Sequence, residues 1–357
     1  MTRIYNQEPS RSIRPGVELW SSDGQAEVHR PDGDLVHWRT VIWLNASVDD
    51  TSLGNITVDG RRDDNPAWPG WETDSGIEQC HNVGIRSASD NVRVEGLVIV
   101  DRVTSKNSVS DCIIVQGVCR FHIHDSSGIN SARVGIGCAV YGCEGLIEDC
   151  TTDQLHYEPN TRGSYPLVSD IEYRNITLAD RAVFTVIMPE YNGNFVGTDI
   201  GLALTMHIED GCPPYNLAAE QTGNRCELTR CTAADTTIYQ PRTLVLDDCD
   251  TGPVYVVWQT ISRQWDGGQV TVKNHAFSIA DPWITAGLGT IVLDTCTGDF
   301  VVEVRNASGP YDPTPTTPLI VTVQGLITPV THYITAIGTY TITEIGGISP
   351  TPPPYTP

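Results

Sequence analysis

Lysine is nearly missing from this chain. Only Lys106 and Lys273 are present, so 20 of the 22 basic residues are arginine, and 44 acidic residues set the formal net charge at −22. A surface this acidic repels phosphate, which argues against a nucleic-acid partner. No apolar run approaches the ~20 residues that a membrane-spanning helix requires. The opening stretch, MTRIYNQEPSRSIRPG, lacks the apolar core of a signal peptide, so conventional secretion is not expected. The eleven cysteines are an odd number, with no CxxC and no pair of doublets at zinc spacing. Reduced thiols without a metal are therefore expected. Helix-forming runs of Ala, Leu, Glu and Lys are missing too. In their place stand 32 Gly, 23 Pro and abundant Asp, Asn, Ser, Thr, Val and Ile, the composition of short strands joined by many turns.

Several segments share one pattern of alternating apolar residues that ends in a small or buried-type residue. Val92–Leu97, Ile171–Ile176, Cys226–Cys231, Leu244–Cys249, Val270–His275 and Ile291–Cys296 all show it, and Ile147–Cys150 fits its second half. The closing residues form a column: Leu97, Cys150, Ile176, Cys231, Cys249, His275 and Cys296. Two wide gaps each hold one further turn, taken as Cys119–His124 and Leu202–His207. The period is then about 18 to 31 residues, that of a solenoid. Leucine-rich repeats need a Leu register that is absent, and propeller blades are longer. Cysteine suits an internal stack because it is small, apolar and readily buried.

Two stretches carry a family resemblance: Asn55-Ile-Thr-Val-Asp-Gly60, and Asp90-Asn-Val-Arg-Val-Glu-Gly-Leu-Val-Ile99. They resemble the pectate-lyase-like right-handed β-helix superfamily, over roughly residues 50 to 308. That group includes polysaccharide lyases, polygalacturonase-type hydrolases and phage tail spikes. The resemblance implies an all-β, right-handed, single-stranded parallel β-helix, and it bears only weakly on activity because this architecture hosts many functions. The expected organisation is an N-terminal cap or attachment segment at 1–40 and the β-helix at 41–308. A Pro/Thr-rich linker at 309–318 follows, then an apolar β-rich oligomerisation or docking segment at 319–348 and a Pro-rich tail at 349–357.

Strand alternation assigns outward positions two residues before the column: Glu95, His122, Glu148, Arg174, Thr205, Thr229, Asp247, Lys273 and Asp294. Such a row is either a solvated face of cross-strand pairs or a groove for an extended polar ligand. Glu95, Arg174 and Lys273, with the loop tryptophans Trp68 and Trp71, are the expected ligand-binding residues. A glycoside hydrolase needs two carboxyls about 5 to 9.5 Å apart, for which Glu148 with Glu172, or Asp247 with Asp294, are weak candidates. Of the polygalacturonase motifs only Asp247-Asp248 is present, and the lyase Trp-x-Asp-His pattern is missing. His122 and His124 share a strand, but no third metal ligand is evident. With His124 placed in the inward column, a structural role is expected, and no metal site is assigned. No cofactor is expected, except calcium if the chain is a lyase.

The first functional expectation is a spike, fibre or minor tail protein of a virus particle, located in the virion and released by lysis. It would bind host-surface glycan and assemble with other virion proteins, as a homotrimer by analogy with tail spikes. The alternatives are a polysaccharide lyase or glycoside hydrolase, and a structural filament or capsid-decorating protein. Whether the chain is an enzyme stays open at this point.

Overall fold

The computed structural model describes residues 3–5, 11–13, 18–22, 24–29, 40–63, 80–87, 93–140, 142–160, 169–189, 193–201, 203–212, 225–239, 243–257, 268–278, 281, 283–286, 289–305, 319–324, 331–336 and 340–344. Among them there is no helix, and so none long and apolar enough to cross a membrane. The chain divides into two units, residues 1–185 and 186–357. Within each, strand pairing is parallel throughout the described ladders.

In the first unit three ladders recur. One joins Glu18–Trp20, the first part of Thr51–Asp59, the first part of Leu97–Lys106, Arg120–His124 and the start of Glu144–Asn160. The second joins Glu27–His29 to the later parts of those long strands and to Ser127–Ile129. The third joins Arg11–Ile13, Ile42–Ala46, Val83–Ser87, Ile113–Val115 and Ile136–Val140. Each repeat of chain thus adds one strand to each ladder. The inward side chains, among them Leu44, Leu53, Ile85, Val98, Val100, Phe121, Ile123, Ile136 and Ile147, are at most 2% exposed. Each such residue stabilises by roughly 1.5–3 kcal/mol relative to exposure.

The second unit repeats the scheme. Gly193–Ile200, Arg225–Thr229, Thr243–Asp247, Gln269–Lys273 and Thr290–Asp294 form one parallel ladder. Ala203–Cys212, Ala233–Tyr239, Val254–Val257 and Trp283–Ala286 form another. Phe277, Trp283 and Phe300 pack as an aromatic group, with ring centroids 4.7 to 6.3 Å apart.

A left-handed residue turns the corner between strands in each repeat. In the first unit these are Asn55, Arg102, Asp125, Asp149 and Asn175; in the second, Asp199, Arg230, Asp248, Asn274 and Thr295. Asn and Asp tolerate this conformation best. The next residue then points inward: Ile56, Val103, Ser126, Cys150 and Ile176 in the first unit, and Ile200, Cys231, Cys249, His275 and Cys296 in the second. Leu97 is not in this column. It is half-buried at the start of its strand, and Val103 holds the corner of its repeat. The two gap-filling turns are corrected likewise: Ser126 stands where His124 was expected, and Ile200 where His207 was.

The ten cysteines whose side chains are described are buried and form no disulfide. Burial pushes the Cys150 thiol up to about 12 and that of Cys296 to about 11. His275 is mostly buried, which lowers its pKa, and its Nδ1 sits 2.7 Å from the Cys249 carbonyl oxygen, fixing the tautomer that donates there.

Two expected boundaries are not boundaries of strand pairing. The strands Glu18–Trp20 and Glu27–His29, within the expected cap, join the ladders of the following repeats. The strands Leu319–Gln324, Thr331–Ala336 and Tyr340–Glu344 continue the second unit's ladders in register, Ile291 opposite Val321 and Val302 opposite Ile334. Their β-branched sequence serves those ladders, so no separate segment is needed to account for it. The expected linker at 309–318 and tail at 349–357 lie outside the described residues.

Candidate functional site

The outward face of the first unit's first ladder carries a row of charged and imidazole side chains. Directly before the αL corners, one column runs Gly54, Asp101, His124 and Glu148 in strand register. Arg174 joins it through its ion pair with Glu148, Nη1 to Oε2 at 3.2 Å. His122, two residues before His124 and on the same face, stacks on it with ring centroids 4.5 Å apart. Trp20, 46% exposed, lies against Gly54, where a Cβ would meet its ring at 2.1 Å. The Arg102 guanidinium sits 4.9 Å from that ring's centroid, a cation–π contact.

Each imidazole is engaged by carboxylate. His122 Nε2 is 2.9 Å from Glu148 Oε1. His124 Nδ1 is 3.0 Å from Asp125 Oδ2 and 3.4 Å from Asp101 Oδ1. Arg102 donates from Nε and Nη2 to the other oxygen of Asp101, at 3.2 and 2.9 Å. Contrary to expectation, His124 is an outward residue; Ile123 fills the interior of that strand.

The weak catalytic pairs separate as follows. Glu148 and Glu172 are brought together, but through Arg174, which pairs with Glu172 Oε1 at 2.6 Å as well as with Glu148. Two carboxylates sharing one guanidinium form an ion-pair arrangement on this face. Asp247, Lys273 and Asp294 stand opposite one another on successive strands of the second unit. Lys273 is thus interposed between the two acids, which lie two strand spacings, or ~9.6 Å, apart along the ladder. Asp247 also accepts from Asn274 Nδ2 at 2.7 Å. Glu95 is exposed ahead of its strand, and its carbonyl accepts from Arg120 Nη1 at 3.3 Å; Asp101 takes the column position assigned to it. Thr198, opposite Thr229, takes the position assigned to Thr205. Trp68 and Trp71 lie outside the described residues.

Two further polar clusters in the first unit were not anticipated. Glu27, His29 and Asp59 place one ligand atom each within 4.8 Å of one another. Lys106 Nζ lies 3.6 Å from Glu27 and 3.4 Å from Asp59, so an ammonium already supplies the positive charge there. Deeper, His81 Nδ1 lies 2.8 Å from Asp111 Oδ2, both side chains fully buried. Arg133 grips the same carboxylate with Nε and Nη2 at 2.8 and 2.7 Å. Burial alone would raise the Asp111 pKa, but His81 and Arg133 prevail and hold it at about 2.

Searches against family models, curated proteins and solved structures return no match. The reading of the site therefore rests on its own geometry.

Proposed function

We propose that the chain is a right-handed parallel β-helix of the pectate-lyase-like kind, built as a spike or fibre of a virus particle, whose outward face in the first unit binds host-surface glycan. One observation carries the binding reading. A half-exposed tryptophan adjoins a row of hydrogen-bonding side chains, Arg102, Asp101, His124, Glu148 and Arg174, repeated at the ~4.8 Å strand spacing. Indole faces stack on apolar sugar faces, while charged groups in register suit the hydroxyls of an extended chain. The pairing of Glu148 and Glu172 through Arg174 favours binding over hydrolysis. The particle assignment adds a homo-oligomer, with a trimer as the form expected; a stable monomer in light scattering at micromolar concentration counts against it.

The test is retention on a panel of immobilised acidic and neutral polysaccharides and host envelopes. Reducing-end and unsaturated-sugar release is followed in parallel, with and without calcium. Retention without release, weakened roughly 30-fold by Trp20→Ala, a loss of about 2 kcal/mol at an aromatic anchor, supports the reading. Retention unaffected by Trp20→Ala and Arg174→Ala moves the site elsewhere. One observation favours the depolymerase alternative: the His122–Glu148 contact, a half-exposed imidazole oriented by a carboxylate, is an arrangement that serves general bases. Sugar release abolished by His122→Gln would decide for it.

A further inference from the structure

We propose that Asp101, His124 and Asp125 form a binding site for a divalent first-row transition metal of zinc's ligand preference. The proposal does not rest on glycan binding. The three ligand atoms lie within 4.8 Å of one another. In a tetrahedral zinc site with bonds of about 2.0–2.2 Å, neighbouring ligand atoms are ~3.3–3.6 Å apart. The measured edges from His124 Nδ1 are 3.4 Å to Asp101 and 3.0 Å to Asp125. A metal at the centre needs shifts of a few tenths of an ångström along these edges and a modest closure of the third.

The fold explains why such neighbours converge. Adjacent residues on a strand point to opposite faces, so His124 and Asp125 would ordinarily diverge. Asp125 is instead the αL corner of its repeat, with φ of 49°, which turns its carboxylate back beside the imidazole. Asp101 comes from the preceding repeat, directly opposite His124. Its Oδ2 is taken by Arg102, while its Oδ1 faces His124. The stacked His122 ring, itself held by Glu148, limits rotation of His124. Asp101 is nearly buried and Asp125 is 57% exposed, so the donor set is rooted on one side and open on the other, leaving a fourth position to water.

Charge and donor type select the ion. Two carboxylates against one guanidinium leave a net negative site that attracts a cation. One nitrogen and two oxygens suit zinc, cobalt or nickel, whereas calcium takes six to eight oxygens. Among the described corners, Asp247–Asp248 pairs acids without a neighbouring histidine in sequence, and at Glu148–Asp149 the His122 imidazole reaches Glu148 while Arg174 also holds that carboxylate. The Glu27, His29 and Asp59 cluster has the imidazole, but Lys106 Nζ reaches both of its carboxylates, whereas Arg102 engages one oxygen of Asp101.

The experiment titrates Co²⁺ into the chelator-dialysed full-length chain and follows visible absorption. One saturating equivalent is expected, with d–d bands of a low-coordinate site and no sulfur charge-transfer band. His124→Gln and Asp125→Asn, both outward and the second compatible with the αL corner, should each weaken binding by tenfold or more, with the thermal melt confirming that the variants fold. His29→Gln should leave the titration unchanged. Absence of saturable binding in the parent chain, persistence of it in His124→Gln, loss of it in His29→Gln, or a thiolate band would each overturn the proposal.

Discussion

Asp111 offers the most direct test of what holds the first unit together. Its side chain has no exposure, and it faces His81 and Arg133 at 2.7 to 2.8 Å. Its backbone carbonyl also accepts from Asn82 N and Ser108 Oγ, which ties the loop to the neighbouring repeat. The carboxyl is held at about 2 against an ordinary 3.8. A folded-state pKa below the unfolded one adds stability that is complete above about pH 4 and is lost as pH falls toward 2. At 1.36 kcal/mol per unit the contribution is roughly 2 kcal/mol. Asp111→Asn removes that titration and leaves the buried His81 and the quarter-exposed Arg133 facing a neutral partner, a loss of about 3 kcal/mol at neutral pH. Urea unfolding of both chains at a series of pH values should therefore show a large gap at pH 7. That gap should narrow by roughly 2 kcal/mol between pH 4 and pH 2. A chain of two units need not unfold in one step, so hydrogen exchange of the amides in Val83–Ser87 and Ile113–Val115 localises the effect. A gap that stays constant from pH 5 to pH 2, or a variant as stable as the parent at pH 7, refutes the reasoning.

Three other outcomes are expected. Thr295 is a β-branched residue at φ of 57°, so Thr295→Asn should raise stability by roughly 1 kcal/mol in thermal melts; an unchanged or lower melting temperature counts against corner strain. Gly84→Ala would set a Cβ 2.3 Å from the Trp43 ring, which is nearly buried with Arg86 over it, and should cost about 1–3 kcal/mol. Gly54→Ala meets the half-exposed Trp20, which can swing away, so its cost should be the smaller of the two, with a change in indole fluorescence. The thiols of Cys112, Cys150 and Cys296, raised by burial, should resist an aromatic disulfide reagent at pH 8 and react on denaturation; labelling in the native chain, mapped to any of the three, would show that the stack opens.

The repeat was legible because the inward residue after its corner is cysteine in four repeats. Cys150, Cys231, Cys249 and Cys296 are small, apolar and buried, and they mark equivalent places in successive strands. Where the corner holds another residue the column slipped. Val103 follows Arg102, a poor αL residue, and no local signal sets it apart from Leu97 six positions earlier. Ser126 is polar, and its hydroxyl is occupied in bonding to the His124 carbonyl, so composition did not mark it as interior. A usable signal was present nonetheless. Seven of the ten αL corners are Asn or Asp, each directly before the inward residue. Reading Asp125-Ser126 beside Asp149-Cys150 places His124 outward, as the structure does.

The outward clusters were harder to foresee, for a reason inherent in strands. Alternation predicts which side chains share a face only while the backbone stays extended. The αL corner breaks that rule, and both Asp125 and Arg102 exploit it, each turning back onto the residue before it. Chemistry that depends on adjacent residues converging is therefore invisible to a period-two reading, and it concentrates at the corners. The same logic explains why the acid pairs Asp247–Asp294 and Glu148–Glu172 looked plausible by spacing. Register brings Asp247 and Asp294 onto one column with Lys273 between them, and Arg174 links Glu148 to Glu172, so each acid pair is held through a basic residue. A ladder that must alternate charge to hold its face together leaves few carboxylates unpaired for acid catalysis. The imidazoles of His122 and His124, each oriented by a neighbouring carboxylate, bring nitrogen donors to this face, and the chemistry of this chain should be sought there first.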